Sequence, residues 1–210
     1  MIERTPEFLA AQDRVKVGHF TRQGFDIGNV LHVGANDGEE ISYYLALGAQ
    51  KVIAFEPGLK AFRRLLKSYG KDDRVYCLFM ALGEHREFRP LHITAGDGKG
   101  SSFLTEHESP YEIVDSVEIG VIRADSISSI YSGFDTLVVD VQGMELDVLK
   151  GFGETLRGFK FLNIECSEKP IFDGESPAEE VIAWLDGQGF QQDSPIFSHD
   201  DIMFIRKGLK

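Results

Sequence analysis

The strongest constraint on this chain is a repeated switch between two periodicities from Asn29 to Met80. Asn29–Val33 is a short apolar run ending in glycine and reads as a strand. Glu39–Leu47 carries Ile41, Tyr44 and Leu45 at helical spacing, and Gly48 stops it. Lys51–Phe55 is a second apolar run, closed by Glu56-Pro57. Leu59–Tyr69 places Phe62, Leu65, Leu66 and Tyr69 on one helical face before Gly70, and Val75–Met80 is a third strand. Strand, helix, strand, helix, strand in this short span predicts right-handed crossovers onto a parallel sheet.

Pro6 to roughly Gln23 is expected to be one helix with an apolar stripe of Phe8, Leu9, Val15 and Phe20, broken at Gly24 and Gly28. Phe88–Thr94 and Ser116–Arg123 read as strands around a Gly/Ser-rich loop from Ala95 to about Pro110. The stretch of about 83–123 is thus an insertion between the third and fourth parallel strands. It is a hairpin that either extends the sheet or covers a site, and its tract Gly96–Gly100 is expected to be mobile. The alternation resumes with a short helix or turn at Asp125–Ile130, a buried strand at Thr136–Val141 and a helix at Met144–Lys150. A strand at Phe159–Glu165, a helix at Ala178–Asp186 and two strands at Phe190–Gln192 and Ile202–Ile205 complete the chain. The division predicted is a helical extension over 1–28 and one α/β domain over 29–210. The pattern does not give the order of the strands.

Composition narrows the function classes. A chain of 210 residues buries roughly 70% of its unfolded surface, so it needs no disulfide or metal staple. Cys77 and Cys166 belong to no CxxC or Cys/His cluster, which argues against structural zinc, and both read as buried, reduced thiols. The net charge of −12 repels phosphate backbones and anionic lipid, so a nucleic-acid substrate is disfavoured. Arg63, Arg64 and Lys67 form the nearest basic cluster, and their spacing fits a solvated helix face. No apolar run reaches the ~20 residues of a membrane span, and the polar N-terminus lacks a secretion signal, so a cytoplasmic location is expected.

Three signals carry chemistry. Val33-Gly34-Ala35-Asn36-Asp37-Gly38 follows the first strand and precedes the first helix of the repeat. Gly34 permits a tight turn, Ala35 and Asn36 keep side chains small where a ligand approaches backbone, and Gly38 permits close packing. The spacing G-x-N-x-G lacks the middle glycine of a dinucleotide fingerprint and suits an amino-acid-bearing nucleoside such as S-adenosylmethionine. Glu56, at the end of the second strand, is placed to accept from both ribose hydroxyls. Asp140 and Glu165 each follow a later strand, where two acids could flank one acceptor. The plainer alternatives are a helix cap for Asp140 and a surface ion pair for Glu165.

VGANDG, AFEP, VDVQGMELDVLKG and NIE, in that order from about Val30 to Glu165, resemble the FkbM family of methyltransferases. The resemblance implies an α/β, Rossmann-like class I methyltransferase fold. That fold has a mostly parallel seven-stranded sheet, helices on both faces and an inserted hairpin. It implies S-adenosylmethionine as cofactor and O-methylation of a hydroxyl on a sugar or secondary metabolite. Gly34, Ala35, Asn36 and Gly38 match the family's cofactor loop, and Glu56 and Pro57 its ribose-binding acid and following proline. Asp140, Gly143 and Glu145 match its D-x-E-G-x-E motif, and Ser101-Ser102 a serine pair of its variable middle. Ala81, just past the third strand, and Asp140 complete the expected cofactor-binding set. The chain departs from the family at His32, where an acid usually helps orient the cofactor's ammonium group, and at Gln142, where a Glu is usual.

In-line methyl transfer asks the protein mainly to align donor and acceptor. Asp140 is the first candidate for the base that takes the hydroxyl proton, and Glu165 the second. The two acids are too few to define a metal site. His85, His92 and His107 are further possible bases, although loop histidines are commonly solvated. The expected partner is a small-molecule or glycan hydroxyl acceptor, chosen by the insertion. Oligomeric state is left open. A non-catalytic cofactor-binding module and an NAD-dependent oxidoreductase are the rival readings.

Overall fold

The computed structural model describes residues 5–95, 100–105, 112–196 and 199–209. The expectations for Gly96–Lys99 and His107 lie outside them. Two short helices open the chain, α1 (Pro6–Arg14) and α2 (Gly18–Arg22). The single helix expected there is broken because Val15 adopts an extended conformation. Gly18 then lies so close to the Gln12 backbone that a side chain has no room. Phe8, Ala11, Val15, Val17 and Phe20 are buried, whereas Leu9, expected on the apolar stripe, is exposed.

The alternation follows as read: β1 (Val30–Val33), α3 (Ile41–Ala46), β2 (Val52–Phe55), α4 (Leu59–Tyr69) and β3 (Val75–Leu78). On α4 the buried positions are Ala61 and Leu65, while Leu66 of the expected face is exposed. Next come β4 (Ala81–Leu82), β5 (Glu87–Thr94) and β6 (Ile113–Ile122). The chain closes with β7 (Thr136–Val139), α5 (Glu145–Gly151), β8 (Phe161–Ser167), α6 (Ala178–Gly187), β9 (Phe190–Gln192) and β10 (His199–Arg206).

Seven strands form one sheet in the order β3-β2-β1-β7-β8-β10-β9. The pairs from β3 to β8 are parallel, and β10 runs antiparallel to both β8 and β9. Alternate residues of β1 serve opposite cores. Leu31 and Val33 pack with Leu146, Leu149, Val181 and Leu185 of α5 and α6. Val30 packs with Phe8, Phe20, Ile41 and Leu65 of α1 to α4. Burial on both faces explains why these strands read as continuous apolar runs.

The inserted hairpin does not extend this sheet. β5 and β6 pair antiparallel and take β4 as a parallel neighbour, making a separate three-stranded sheet in the order β4-β6-β5. β8 lies two residues later than expected, because β10 pairs along it as far as Ser167. Glu165 is therefore inside a strand rather than beyond its end. Cys166 is buried and Cys77 half-buried, and both are free thiols. Among the described residues no helix is long and apolar enough to cross a membrane.

Candidate active site

The chain leaves β1 and β7, two adjacent parallel strands, toward opposite halves of the sheet. Such a switch point opens a crevice at the strands' carboxyl ends, where ligands of open α/β sheets bind. A cleft of about 840 Å³ lies there. Its floor is the loop after β1 and the turn after β7, and its far wall is the inner face of the three-stranded sheet.

Gly34, Ala35 and Asn36 form the loop. Gly34 has a φ of +86°, and a Cβ on it would collide with the carbonyl oxygen of Asp140, so only glycine lets the two strand ends meet. Asn36 has a φ of +48°, a left-handed conformation that asparagine tolerates. Gly38 is packed against Leu65 and Tyr69 of α4, as its spacing suggested. The helix itself starts only at Ile41, so the loop's own backbone, rather than a helix terminus, faces the cleft.

Glu56 ties this loop to β2. One carboxylate oxygen accepts from the Asn36 backbone N–H at 2.9 Å and the other from that of Gly58 at 2.5 Å. Burial pushes its pKa up to about 7, opposed by those two N–H groups and raised further by Asp140. Arg64 does not simply face solvent. Its guanidinium lies 3.4 Å from Asn36 Oδ1 and 3.6 Å from Asp37. Pro57 and Ala81 also line the cleft, Ala81 as the first residue of β4.

The turn after β7 is built by Glu145. Its buried carboxylate accepts from the backbone N–H groups of Val141 and Gly143, both at 3.1 Å, and burial raises its pKa to about 8. That turn holds Gln142 at a φ of +55°. The Gln142 side-chain nitrogen donates to Asp140 Oδ1 and to Glu165 Oε2, each at 2.7 Å. Asp140 and Glu165 are therefore brought together, from adjacent strands. Burial, followed by the charge of Asp140 and a hydrogen bond with it, holds the Glu165 carboxyl well above the usual carboxylate range. Ser102 fastens the insertion to the same turn, donating its hydroxyl to the Gln142 carbonyl at 2.6 Å.

His32 is buried beneath this floor. Tyr44 donates its hydroxyl proton to Glu40 at 2.6 Å, so the 3.3 Å contact between Tyr44 Oη and His32 Nδ1 requires the imidazole to donate from Nδ1. The lone pair of Nε2 has no partner among the described residues. Burial lowers the His32 pKa, which keeps the ring neutral.

The apolar wall was not legible in the motifs. Leu91 and Ile93 of β5 stand beside Val117 and Ile119 of β6, all four lining the cleft. Phe79 and Met80 continue it from the end of β3. Alternation along β5 and β6 was the available signal. Asp201 on β10 was also missed; it accepts from Asn163 at 2.8 Å, and burial raises its pKa to about 6. His85 is exposed, and neither it nor His92 lines the cleft. Among the described residues no group of three or more His, Cys, Asp or Glu could hold a metal ion.

A glycine-turned loop, a buried acid one strand over and a topological switch point define a Rossmann-like methyltransferase site. The orphaned acceptor His32 Nε2 and the acid-rich floor fit a ligand that carries ammonium and sulfonium charges. Residues 32–191 match the methyltransferase FkbM domain, and the chain belongs to that family. It is an S-adenosylmethionine-dependent methyltransferase, which sets aside the nicotinamide alternative. The 2-O-methyltransferase NoeI of Sinorhizobium fredii is 26% identical over 170 residues, which is 74% of this chain and 70% of NoeI.

Two solved structures share the fold. The FkbM methyltransferase of Methylobacillus flagellatus superposes with a TM-score of 0.54 at 14% identity. The match covers 96% of this chain and 58% of that one. Aeropyrum pernix fibrillarin bound to S-adenosyl-L-methionine superposes with a TM-score of 0.55 at 13% identity, covering 93% of this chain and 76% of that one.

Proposed function

We propose that this chain methylates a hydroxyl oxygen on a sugar or secondary metabolite, with Asp140 as the base. The observation that carries this reading is the position of Asp140. It stands beside the cofactor loop and Glu165, with the apolar wall of the three-stranded sheet across the same cleft. The similarity to a 2-O-methyltransferase supports a hydroxyl acceptor.

When bound, S-adenosylmethionine supplies an electrophilic methyl group on a sulfonium. Gly34, Ala35 and Asn36 would cradle the cofactor along the loop, which Gly38 seats against α4 from outside the cleft, while Glu56 would accept its ribose hydroxyls and Pro57 and Ala81 would border it. The lone pair of His32 Nε2 accepts from the ammonium group, the role an acid has elsewhere in the family. Asp140 serves both partners, bordering the cofactor and orienting the acceptor. With the cofactor bound, Asp140 would take the acceptor's hydroxyl proton as that oxygen receives the methyl group the sulfonium supplies. Alignment of the two reactants can contribute roughly 7–11 kcal/mol. Leu91, Ile93, Val117 and Ile119 receive the apolar face of the acceptor.

The experiment is methyl transfer from labelled S-adenosylmethionine to a panel of glycosides and hydroxylated metabolites, beside amine and thiol analogues. Ether formation that collapses in Asp140→Asn supports the reading. Transfer only to nitrogen or sulfur would overturn it. Tight cofactor binding without any transfer would favour a non-catalytic module.

A further inference from the structure

Gln142 is the most unusual residue of the site. It departs from the family's glutamate, its backbone is left-handed, and its one side-chain nitrogen reaches two carboxyl groups at 2.7 Å each. Sharing one donor nitrogen holds the two carboxyl groups side by side, where two carboxylates repel and a proton kept on one of them relieves the repulsion. An amide nitrogen carries two N–H groups, enough to donate once to each acid. A glutamate at the same place has no donor unless it is itself protonated.

We propose that Gln142 is a positioning residue, fastening Asp140 and Glu165 into one unit with a single negative charge, so that Asp140 accepts the hydroxyl proton while Glu165 keeps its own. This rests on the reading of Asp140 as base.

The surroundings favour a single charge. Glu145 faces the unit from α5, Asp201 from β10 and Glu56 from the end of β2. His32 on β1 is neutral, and Glu40 and Tyr44 lie behind it. Lys16 acts on Asp201, on the far side. A second negative charge on the pair would therefore face acids from three elements. The anchor of Gln142 is itself fixed, because Ser102 donates to its carbonyl while taking the Leu104 backbone N–H at 3.0 Å. The tie from the insertion and the setting of the acid pair thus converge on the same residue.

The test reads the carboxyl protons directly. Infrared difference spectra of the cofactor-free protein at neutral pH should show a protonated carboxyl C=O band that disappears in Glu165→Gln. In Gln142→Glu the added acid should take up a proton, giving one further band beyond those of wild type. With an accepted hydroxyl substrate, the acid limb of kcat in Gln142→Glu should move up by about one pH unit, with KM for the cofactor little changed. Gln142→Met, which keeps the length and removes the donor, gives the same comparison if the glutamate variant fails to fold; its Glu165 band should shift in frequency. A Glu165→Gln spectrum identical to wild type would overturn the proposal, as would Gln142 variants whose bands and pH limb match wild type. If no hydroxyl is ever methylated, the functional reading fails, while the infrared comparison still decides the state of the pair.

Discussion

Gly34 and Asp140 meet backbone to backbone: the Cα of Gly34 packs so closely on the carbonyl oxygen of Asp140 that no Cβ fits between them. One residue turns the cofactor loop off β1 and the other begins the turn that carries the acids. Their contact sets the distance between donor and acceptor sites.

Gly34→Ala is accordingly expected to damage both sites. A left-handed φ costs an L-residue roughly 1–2 kcal/mol, and the clash with backbone adds to it. Calorimetry with S-adenosylhomocysteine should show binding weakened beyond detection, with a lowered melting temperature. Normal affinity would separate the loop from the cofactor.

Cofactor affinity should depend on pH through Glu56. Its pKa lies near 7 because burial disfavours its charge. Ribose hydroxyls donate to the ionised form, so affinity for S-adenosylhomocysteine should rise from about pH 6 to about pH 8 and then level off. Glu56→Ala should weaken binding about tenfold or more and remove this dependence. A flat profile in the wild type would place the ribose elsewhere.

The buried acids also shape stability. Glu145 is raised to about 8, Glu56 to about 7 and Asp201 to about 6, each chiefly by burial. A carboxyl whose folded pKa exceeds its unfolded value binds protons more tightly in the fold. Its stabilisation is full below the unfolded value and is lost as pH rises through the folded one. The cofactor-free protein should therefore melt at falling temperatures from about pH 5 to about pH 8. Melting temperatures that climb over this range would contradict the burial of these groups.

Asp140→Asn should lower kcat by about 10²–10⁴ while changing cofactor affinity far less. Single-turnover rates beside calorimetry separate the two effects, and full activity would remove Asp140 as base.

Val117→Asp places a charge on the apolar wall without touching the loop. It should raise KM for the acceptor at least about tenfold, with S-adenosylhomocysteine affinity unchanged. A change in cofactor affinity alone would assign that wall to the adenine instead.

By itself, the sequence determined the local pieces of this protein. The βαβ alternation, the turn at Gly34 and Gly38, and the place of Glu56 at the end of the second strand all lie within a few dozen residues. There, periodicity and backbone conformation are written directly into residue type. What only the tertiary structure decided depends on strand order, which no periodicity encodes. The antiparallel pairing of β10 carries β8 past Glu165 and turns an expected strand-end acid into a strand residue. Adjacent β7 and β8 bring Gln142 onto Glu165 across 23 positions. The inserted hairpin closes with β4 as a separate wall, because its inner face finds the cleft rather than a sheet edge. The histidine in place of an acid became interpretable only once Tyr44 and Glu40 fixed its tautomer. Long-range pairing chose the partners, and the partners gave each of these side chains its charge.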